Sequence, residues 1–297
     1  MSAASKDKTG KVYILIPIHN NIAETRKCLS CIRTQTYTNY EVIVIDDGST
    51  DNSNEIIKNE YPDTTILRGD GNLWWAGALY EGIEYVLKKT QPNDYVLILN
   101  NDLIFDNNYI ANLVESSEDN QGAVVGSLCK DQKTGAIIDS GVNIDWGNLN
   151  FDPKEVVDDG DNLIRDIDVL STRGTLIPVN IILNIGNFIP HKLRHYLSDY
   201  EYTIRMKKHG YTLLTSKKAM VFLNSEITGF HIKWNEKYNL KDVFWAIFSI
   251  KSSSNLKAWL IFIDLCCPPS YKLSCYWRIT CGKMIELIKK VFKRKLY

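Results

Sequence analysis

Short apolar runs that end in polar residues recur along the first hundred positions. They cover residues 11–18, 41–45 and 95–99, and their polar ends include His19, Asp46 and Asn100. Continuous Val, Ile and Leu are typical of strands that are buried on both faces of a sheet. The segments between these runs have apolar residues at helical spacing, as do residues 179–185 and 198–209. The pattern therefore predicts an α/β fold with a Rossmann-like, mostly parallel sheet flanked by helices.

The ends of these strands predict where a ligand would bind. In open α/β sheets, ligands bind outside the carboxyl ends of the strands. The third run ends in Asn100, Asn101 and Asp102, whose side-chain oxygens suit a hard cation and the phosphates that it neutralises. Asn and Asp are also common turn residues, so a simple turn is the alternative at this position.

Length and composition are compatible with one elaborated α/β domain or two small ones. The chain has 297 residues, of which 44% are hydrophobic, enough to bury a sizeable core. Seven cysteines lack paired zinc spacing, and Cys28 and Cys31 are predicted to be two packed thiols on a helix. Residues 1–10 are polar and are predicted to be a flexible N-terminus without a signal peptide. We expect a reduced, cytoplasmic protein.

Charge is unevenly distributed although the net charge is zero. Residues 241–297 hold eleven Lys or Arg and three acidic residues, which leaves +8 there and −8 elsewhere. Residues 284–297 have the pattern of a basic amphipathic helix, which either contacts an anionic membrane at the inner face of the cell membrane or packs on its own domain. The longest apolar stretch, 258–263, is too short for a membrane span. No motif for nucleic acid is present.

Four motifs occur in an order that resembles a known enzyme family. They are Pro17-Ile-His-Asn20, Asp46-Asp-Gly-Ser-Thr-Asp51, Asn100-Asn-Asp102 and the acidic segment 198–211. Together they resemble the family 2 glycosyltransferases of the GT-A fold over residues 11–235. Segments 69–78 and 172–178 are most similar to the bacterial rhamnosyltransferase-like branch. The resemblance implies a nucleotide-binding half (11–102), an acceptor-binding half (103–235) and a helical, basic C-terminal extension (236–297).

The resemblance also implies an activity. The family transfers a sugar, with inversion, from a nucleotide diphosphate donor to an acceptor hydroxyl. For this chain we expect a UDP- or dTDP-linked donor and a glycan or lipid-linked glycan acceptor in cell-surface glycan assembly. A Mn²⁺ or Mg²⁺ ion would neutralise the leaving diphosphate, with Asp102 as its ligand. His231 would be a further ligand or, as the alternative, a plain structural histidine. Asn100 departs from the family's Asp-x-Asp pattern, so we expect the ion to enter with the nucleotide.

Donor-binding residues follow from the same resemblance. Asp47 is expected to contact the base, Trp75 to stack on the sugar or anchor the core, and Arg173 to bind a phosphate. His19 would line the pocket or make only a local hydrogen bond, and Gly174 would allow close approach. The full set of predicted donor-binding residues is Pro17, His19, Asn20, Asp47, Asn72, Trp75, Asn101, Arg173 and Gly174.

Inverting transfer requires a base that takes the acceptor's proton, and a carboxylate is the natural candidate. On the helix predicted over 198–209, Asp199 and Glu201 differ in direction by about 200° and cannot both face one pocket. The family motif assigns the base to Asp199 and leaves Glu201 to orient Arg205. His195 precedes Asp199 on the acceptor side. The alternative for Asp199 is a helix cap.

Two other classes remain open from the sequence. A sugar-nucleotide nucleotidyltransferase would share the sheet and the metal, but it usually has a Gly-rich loop with Arg or Lys after the first strand, where Pro17-Ile-His-Asn20 lies here. A non-catalytic module that binds nucleotide or glycan would fit the Asn100 departure. The acid at position 199 argues against that module.

Overall fold

A computed structural model describes residues 10–224, 245 and 247–282. Its first part alternates strands and helices, as the sequence predicts, and its parallel strands pair in register from Val12↔Tyr40 to Ile18↔Asp46. The elements are β1 (Val12–Ile18), α1 (Ile22–Arg33), β2 (Tyr40–Asp46), α2 (Ser53–Glu60), β3 (Thr65–Arg68), α3 (Trp74–Leu87) and β4 (Tyr95–Ile98).

The second part adds parallel and antiparallel strands to the same sheet. Its elements are α4 (Tyr109–Glu118), β5 (Val124–Asp131), β6 (Ile137–Asp139), β7 (Val142–Asp145), β8 (Asn150–Pro153), β9 (Leu163–Ile164), β10 (Thr175–Pro178), α5 (Val179–Ile185), α6 (Ser198–Lys208), β11 (Leu213–Leu223), α7 (Leu256–Cys266) and α8 (Pro269–Trp277), followed by a π-helical turn, Arg278–Gly282. The sheet order is β3-β2-β1-β4-β10-β5-β11-β9, with β6 beside β5. Strand β10 is antiparallel to both neighbours. Strands β7 and β8 form a separate two-stranded sheet.

The sheet is buried on both faces, which confirms the interpretation of its apolar runs. In β1, Ile14 and Ile16 pack into the core that includes α1 and α4. The alternate residues Tyr13 and Leu15 face the core that includes α3, α5 and α6. All four are 3% exposed or less. Because β1 pairs in parallel with both β2 and β4, the polar residues that follow these three strands meet at one edge of the sheet.

The C-terminal helices pack beside the helix that carries Asp199. Helix α7 contacts α6, and the Phe262 ring stacks on Trp146 at 6.0 Å between centroids. Phe151 links this cluster to Tyr200, at 5.9 Å. The predicted helix over 284–297 and His231 lie outside the described residues. Within the described ranges, every helix is too short or too polar to cross a membrane.

The cysteines are packed thiols, as predicted for Cys28 and Cys31. All seven are free. Cys28 is fully buried, and burial raises the pKa of its thiol. It also approaches the candidate site, because its Sγ lies 3.7 Å from the backbone oxygen of Asn100.

Candidate active site

The ends of β1 and β2 are joined by a hydrogen-bond network. Nδ1 of His19 donates to the backbone oxygen of Asp47 at 2.6 Å, which is the local bond considered as the alternative for His19. The side-chain oxygen of Asn20 accepts from the Thr50 backbone N–H at 2.8 Å. Pro17 is buried within β1. The network leaves the His19 ring exposed at the sheet edge.

Asp47 has a structural role that the sequence did not predict. Its Oδ1 accepts from the backbone N–H groups of Gly71 (2.8 Å) and Leu73 (3.1 Å), and its Oδ2 from that of Trp74 (2.9 Å). Trp74 begins α3 in a left-handed backbone conformation, φ 58°, which bulky residues rarely adopt. Asp47 therefore fixes the loop before α3, and its contact with a base stays a prediction. Asp46 orients the following loop by accepting from the Ser49 N–H at 2.8 Å.

The segment after β4 contains buried oxygen atoms without partners. Oδ1 of Asn100 and Oδ1 of Asp102 are buried and accept no hydrogen bond from the described residues. Burial raises the pKa of Asp102, partly opposed by the guanidinium of Arg173. Asn101 differs, because its amide donates to Thr25 Oγ1 on α1 at 2.9 Å. An unpartnered buried oxygen is costly, and two of them on one segment fit an oxygen-binding cation.

The loop before β10 connects several parts of the site. Ser171 donates to Asp139 of β6, and the Thr172 hydroxyl accepts from the Trp75 indole at 3.1 Å. Trp75 is thereby anchored in the core of the α3 side, which corresponds to the alternative considered for it. Arg173 is half-buried and makes no hydrogen bond or ion pair with the described part of the chain.

Gly174 is required by the protein's own packing. Its φ is +81°, and a Cβ built there would lie 2.3 Å from the Tyr109 hydroxyl and 2.5 Å from Ser127 Oγ. The Ser127 hydroxyl donates to the Gly174 carbonyl at 2.6 Å. The glycine therefore allows its own backbone to approach α4 and β5 closely. Its role is to set the path of the chain just after Arg173.

Asp199 lies in the first turn of α6 and is half-buried. Burial raises the pKa of its carboxyl to about 6; the Tyr200 N–H and the charge of Arg173 oppose this, and the carboxylate of Asp139 adds to it. A pKa near neutrality suits a general base. The Oδ1 atom accepts only from the next residue's N–H, at 3.0 Å, so the side chain does not cap α6 in the usual way.

Glu201 has the supporting role expected from its direction on α6. Its carboxylate pairs with Arg205 through two bonds, Nε to Oε1 at 2.9 Å and Nη2 to Oε2 at 3.0 Å. Arg205 also donates to the backbone oxygens of Ile185 and Asn187. The pair ties α6 to the end of α5 and leaves Asp199 as the acid on the other side of the helix.

The sequence did not place Asp139 in the site, whereas it placed His195 on the acceptor side, which stays a prediction. Burial lowers the pKa of His195 to about 4, so its ring is neutral, and its buried Nδ1 has no partner. The ring lies 5.7 Å from that of Trp74. Asn72 is an exposed residue of the loop before α3, and its backbone oxygen accepts a hydrogen bond from the Arg194 side chain at 2.6 Å. A spacing of four residues before Asp199 was the one available signal for His195.

Fold and site together define a class. A mostly parallel sheet with a late antiparallel strand, and acidic and amide oxygens after β4, have the arrangement of the GT-A fold. Residues 13–162, about half of the chain, match the family described as Glycosyl transferase family 2. The chain belongs to this family.

Individual relatives agree with the assignment. The uncharacterized glycosyltransferase YibD of Escherichia coli (strain K12) is 38% identical over 86 residues, which cover 28% of this chain and 25% of YibD. For other matched curated relatives, between 7% and 37% of their own length is covered. The chain thus spans well under two thirds of the relatives it matches.

Solved structures share the fold at low identity. GalNAc-T7 with UDP, GalNAc and Mn²⁺ superposes with a TM-score of 0.61 and 11% identity, over 96% of this chain and 58% of that one. The mannosyltransferase PcManGT from Pyrobaculum calidifontis, in complex with GDP-Man and Mn²⁺, gives 0.58 and 13%, over 96% and 74%. These likenesses establish the GT-A architecture.

Proposed function

We propose that the protein is a metal-dependent, inverting glycosyltransferase that moves a sugar from a nucleotide diphosphate donor to a hydroxyl of a glycan or lipid-linked glycan. One observation carries the proposal: the side-chain Oδ1 atoms of Asn100 and Asp102 after β4 are buried and accept no hydrogen bond from the described residues, as expected of ligands to a cation beside a diphosphate. The charge of Arg173, which acts on the carboxyls of both Asp102 and Asp199, supports a diphosphate close to the proposed base. Displacement with inversion needs a group that binds diphosphate and a group that takes a proton on opposite sides of the sugar.

Asp199 acts as the base in this proposal. At pH 7 a carboxyl with a pKa of about 6 is mostly ionised and still accepts a proton well. It takes the acceptor's hydroxyl proton as the hydroxyl oxygen bonds to the anomeric carbon and the bond to the diphosphate breaks. Arg173 neutralises charge on the departing diphosphate, because guanidinium groups pair well with phosphate oxygens.

A divalent ion fits the segment after β4. The unpartnered oxygens of Asn100 and Asp102 would hold it, and His231 is proposed as a further ligand. In the described ranges no group of three or more His, Cys, Asp or Glu side chains is placed to share a metal, which supports entry of the ion together with the nucleotide. Mn²⁺ or Mg²⁺ would supply Lewis-acid stabilisation of the leaving diphosphate. The Mn²⁺ in both structural neighbours supports this choice.

The donor pocket is proposed at the ends of β1 and β2. The exposed His19 ring, the Asn20–Thr50 bond and the Asp47 carboxylate form its base and ribose side. UDP or dTDP is the nucleotide that we favour, and rhamnose is the sugar suggested by the similarity of residues 69–78 and 172–178 to the rhamnosyltransferase-like branch. We place the activity at the cytoplasmic face of the membrane, in cell-surface glycan assembly.

Binding and transfer measured separately test the proposal. Calorimetry with a panel of UDP-, dTDP- and GDP-sugars, in Mn²⁺, Mg²⁺ or chelator, should find one nucleotide class whose binding needs the ion. Asp199→Asn should keep that binding and lose transfer by about a hundredfold or more. Asp102→Ala should lose the metal-dependent part of binding.

Asp158→Asn serves as the matched control, because Asp158 is an exposed carboxylate away from the site. It should bind and transfer like the unaltered protein. Transfer by Asp199→Asn at nearly the original rate would remove Asp199 from the mechanism. Full activity in chelator would remove the metal.

A further inference from the structure

The exposed apolar side chains of this protein are concentrated near its C-terminal helices. Of the eight large apolar side chains exposed in the described ranges, five lie between Trp245 and Trp277. Leu273 is 84% exposed and Trp277 is 68% exposed. They are four residues apart on α8 and therefore lie on one face of the helix. We call this face, with Leu273 and Trp277 at its centre, the α8 face.

A groove adjoins the α8 face. It encloses about 670 Å³ and is lined by Leu149, Trp277, Ile279 and Arg278, among others. Its walls are mostly apolar, and the Arg278 guanidinium, which donates to the Asn148 side-chain oxygen at 3.3 Å, provides a cation at the wall. Apolar walls with a single cation suit an amphiphile that has an anionic head.

The surroundings of the α8 face are basic. Residues 245–282 contain Lys251, Lys257, Lys272 and Arg278 against the single acid Asp264. The chain continues after Gly282 with six Lys or Arg and one Glu in residues 283–297. Leu and Trp flanked by Lys and Arg are the composition with which surface helices enter the headgroup region of a bilayer.

We propose that the α8 face docks on an anionic lipid bilayer, with Leu273 and Trp277 inserted at the level of the headgroups and the basic residues paired with lipid phosphates. This inference rests on the proposed function, because docking on a bilayer would bring the active site to a lipid-linked acceptor. It adds to that function a defined surface and a defined partner.

Three occupants of the α8 face are considered: an anionic bilayer, a second copy of the chain, and residues 283–297 of the same chain. Their charges decide between them. A second copy of the chain would place two basic segments together, and residues 283–297 folded back on the face would place their six cations beside Lys272 and Arg278. Both arrangements bring like charges together, which opposes association. An anionic bilayer neutralises all of them, and each Lys or Arg near its surface adds to binding.

Sedimentation of the full chain with vesicles tests the proposal. The vesicles contain phosphatidylcholine alone, or equal parts of phosphatidylcholine and phosphatidylglycerol. We expect binding to the anionic vesicles only, weakened by salt. The double substitution Leu273→Glu with Trp277→Glu should lower the partition coefficient by roughly tenfold or more, because it replaces the inserted groups with charges that the lipid repels. Both residues face solvent, so the fold should be retained, as circular dichroism would verify.

Leu183→Glu is the matched control, since Leu183 is a 58% exposed leucine on α5. It should bind vesicles like the unaltered protein. Equal binding by the double variant and the unaltered protein would overturn the proposal, as would equal binding to neutral and anionic vesicles. A change of oligomeric state in the double variant without any vesicle binding by the unaltered protein would assign the face to a second copy and also overturn it.

Donor binding measured on the same samples separates this inference from the proposed function. Vesicle binding without binding of any nucleotide sugar would leave the α8 face in place and remove the enzyme proposal. Metal-dependent donor binding without vesicle binding would do the opposite.

Discussion

Replacing Asp199 with Asn is expected to stabilise the fold at neutral pH while abolishing transfer. Burial raises the pKa of the Asp199 carboxyl from 3.8 to about 6. The folded state therefore holds the ionised form less favourably than the unfolded chain does. An Asn side chain of the same size does not carry that charge.

The size and sign of the effect follow from this difference. A difference of about two in pKa, at 1.36 kcal/mol each, corresponds to about 3 kcal/mol. Below about pH 4 both states hold a neutral carboxyl and the penalty is absent. Between about pH 4 and 6 the unfolded chain ionises first, so the penalty grows as pH rises, and above pH 6 it is constant. We therefore expect Asp199→Asn to raise the free energy of unfolding by about 2–3 kcal/mol at pH 8.

Urea unfolding followed by circular dichroism at pH 8 and near pH 4 measures this difference. The gain should be present at pH 8 and nearly absent near pH 4. Asp158→Asn, an exposed change, should stay within about 0.5 kcal/mol at both. A loss of up to about 1 kcal/mol at pH 8 in Asp199→Asn would have the sign expected for a carboxylate stabilised by the dipole of α6, and would refute the argument that burial poises this carboxyl as a base.

Three further outcomes are expected. Asn100→Asp places a second carboxylate beside Asp102, so Mn²⁺ affinity measured by calorimetry should rise on the order of tenfold; unchanged affinity would mean that Asn100 does not face the ion. Asp139→Asn removes a charge that raises the pKa of Asp199, so the acidic limb of the kcat/KM profile should move to lower pH, and a fixed limb would contradict the coupling. Asp47→Ala removes the acceptor of three backbone N–H groups and should cost about 3 kcal/mol or more of unfolding free energy, whereas a cost below 1 kcal/mol would assign little energy to this anchor.

The sequence predicted the elements well because their signals are local. The apolar runs gave β1, β2 and β4, and helical spacing gave the bounds of α5. The order of strands beyond β4 had no such signal, because β10 enters between β4 and β5 through pairings distant in the chain.

Roles in the site were predictable for residues whose contacts lie within one element, such as a pair of side chains on one helix. Glu201 pairs with Arg205 as the direction of its side chain on the helix suggested, while the role of Asp102 as a metal ligand stays a prediction. The three amide bonds of Asp47 and the unpartnered nitrogen of His195 depend on how separate loops meet. Asp139 lies 60 residues before Asp199 in the sequence, and its charge acts on the Asp199 carboxyl only in the folded chain. The spacing of residues in the sequence does not predict contacts between such distant segments.

In the proposed mechanism, the position of Arg173 would couple the two halves of the reaction. Without a donor, the charge of its guanidinium lowers the pKa of two carboxyls, Asp102 and Asp199, although among the described residues it forms no ion pair with either. A diphosphate that pairs with Arg173 would withdraw that charge from Asp199, and the base would become stronger only once the leaving group is in place. We expect the acidic limb of kcat to lie at higher pH than that of kcat/KM, since the former reports the complex and the latter the free enzyme; coincident limbs would exclude the coupling. In such an enzyme the base would reach its full strength only when the donor is bound, which favours transfer to the acceptor over proton uptake in the empty site.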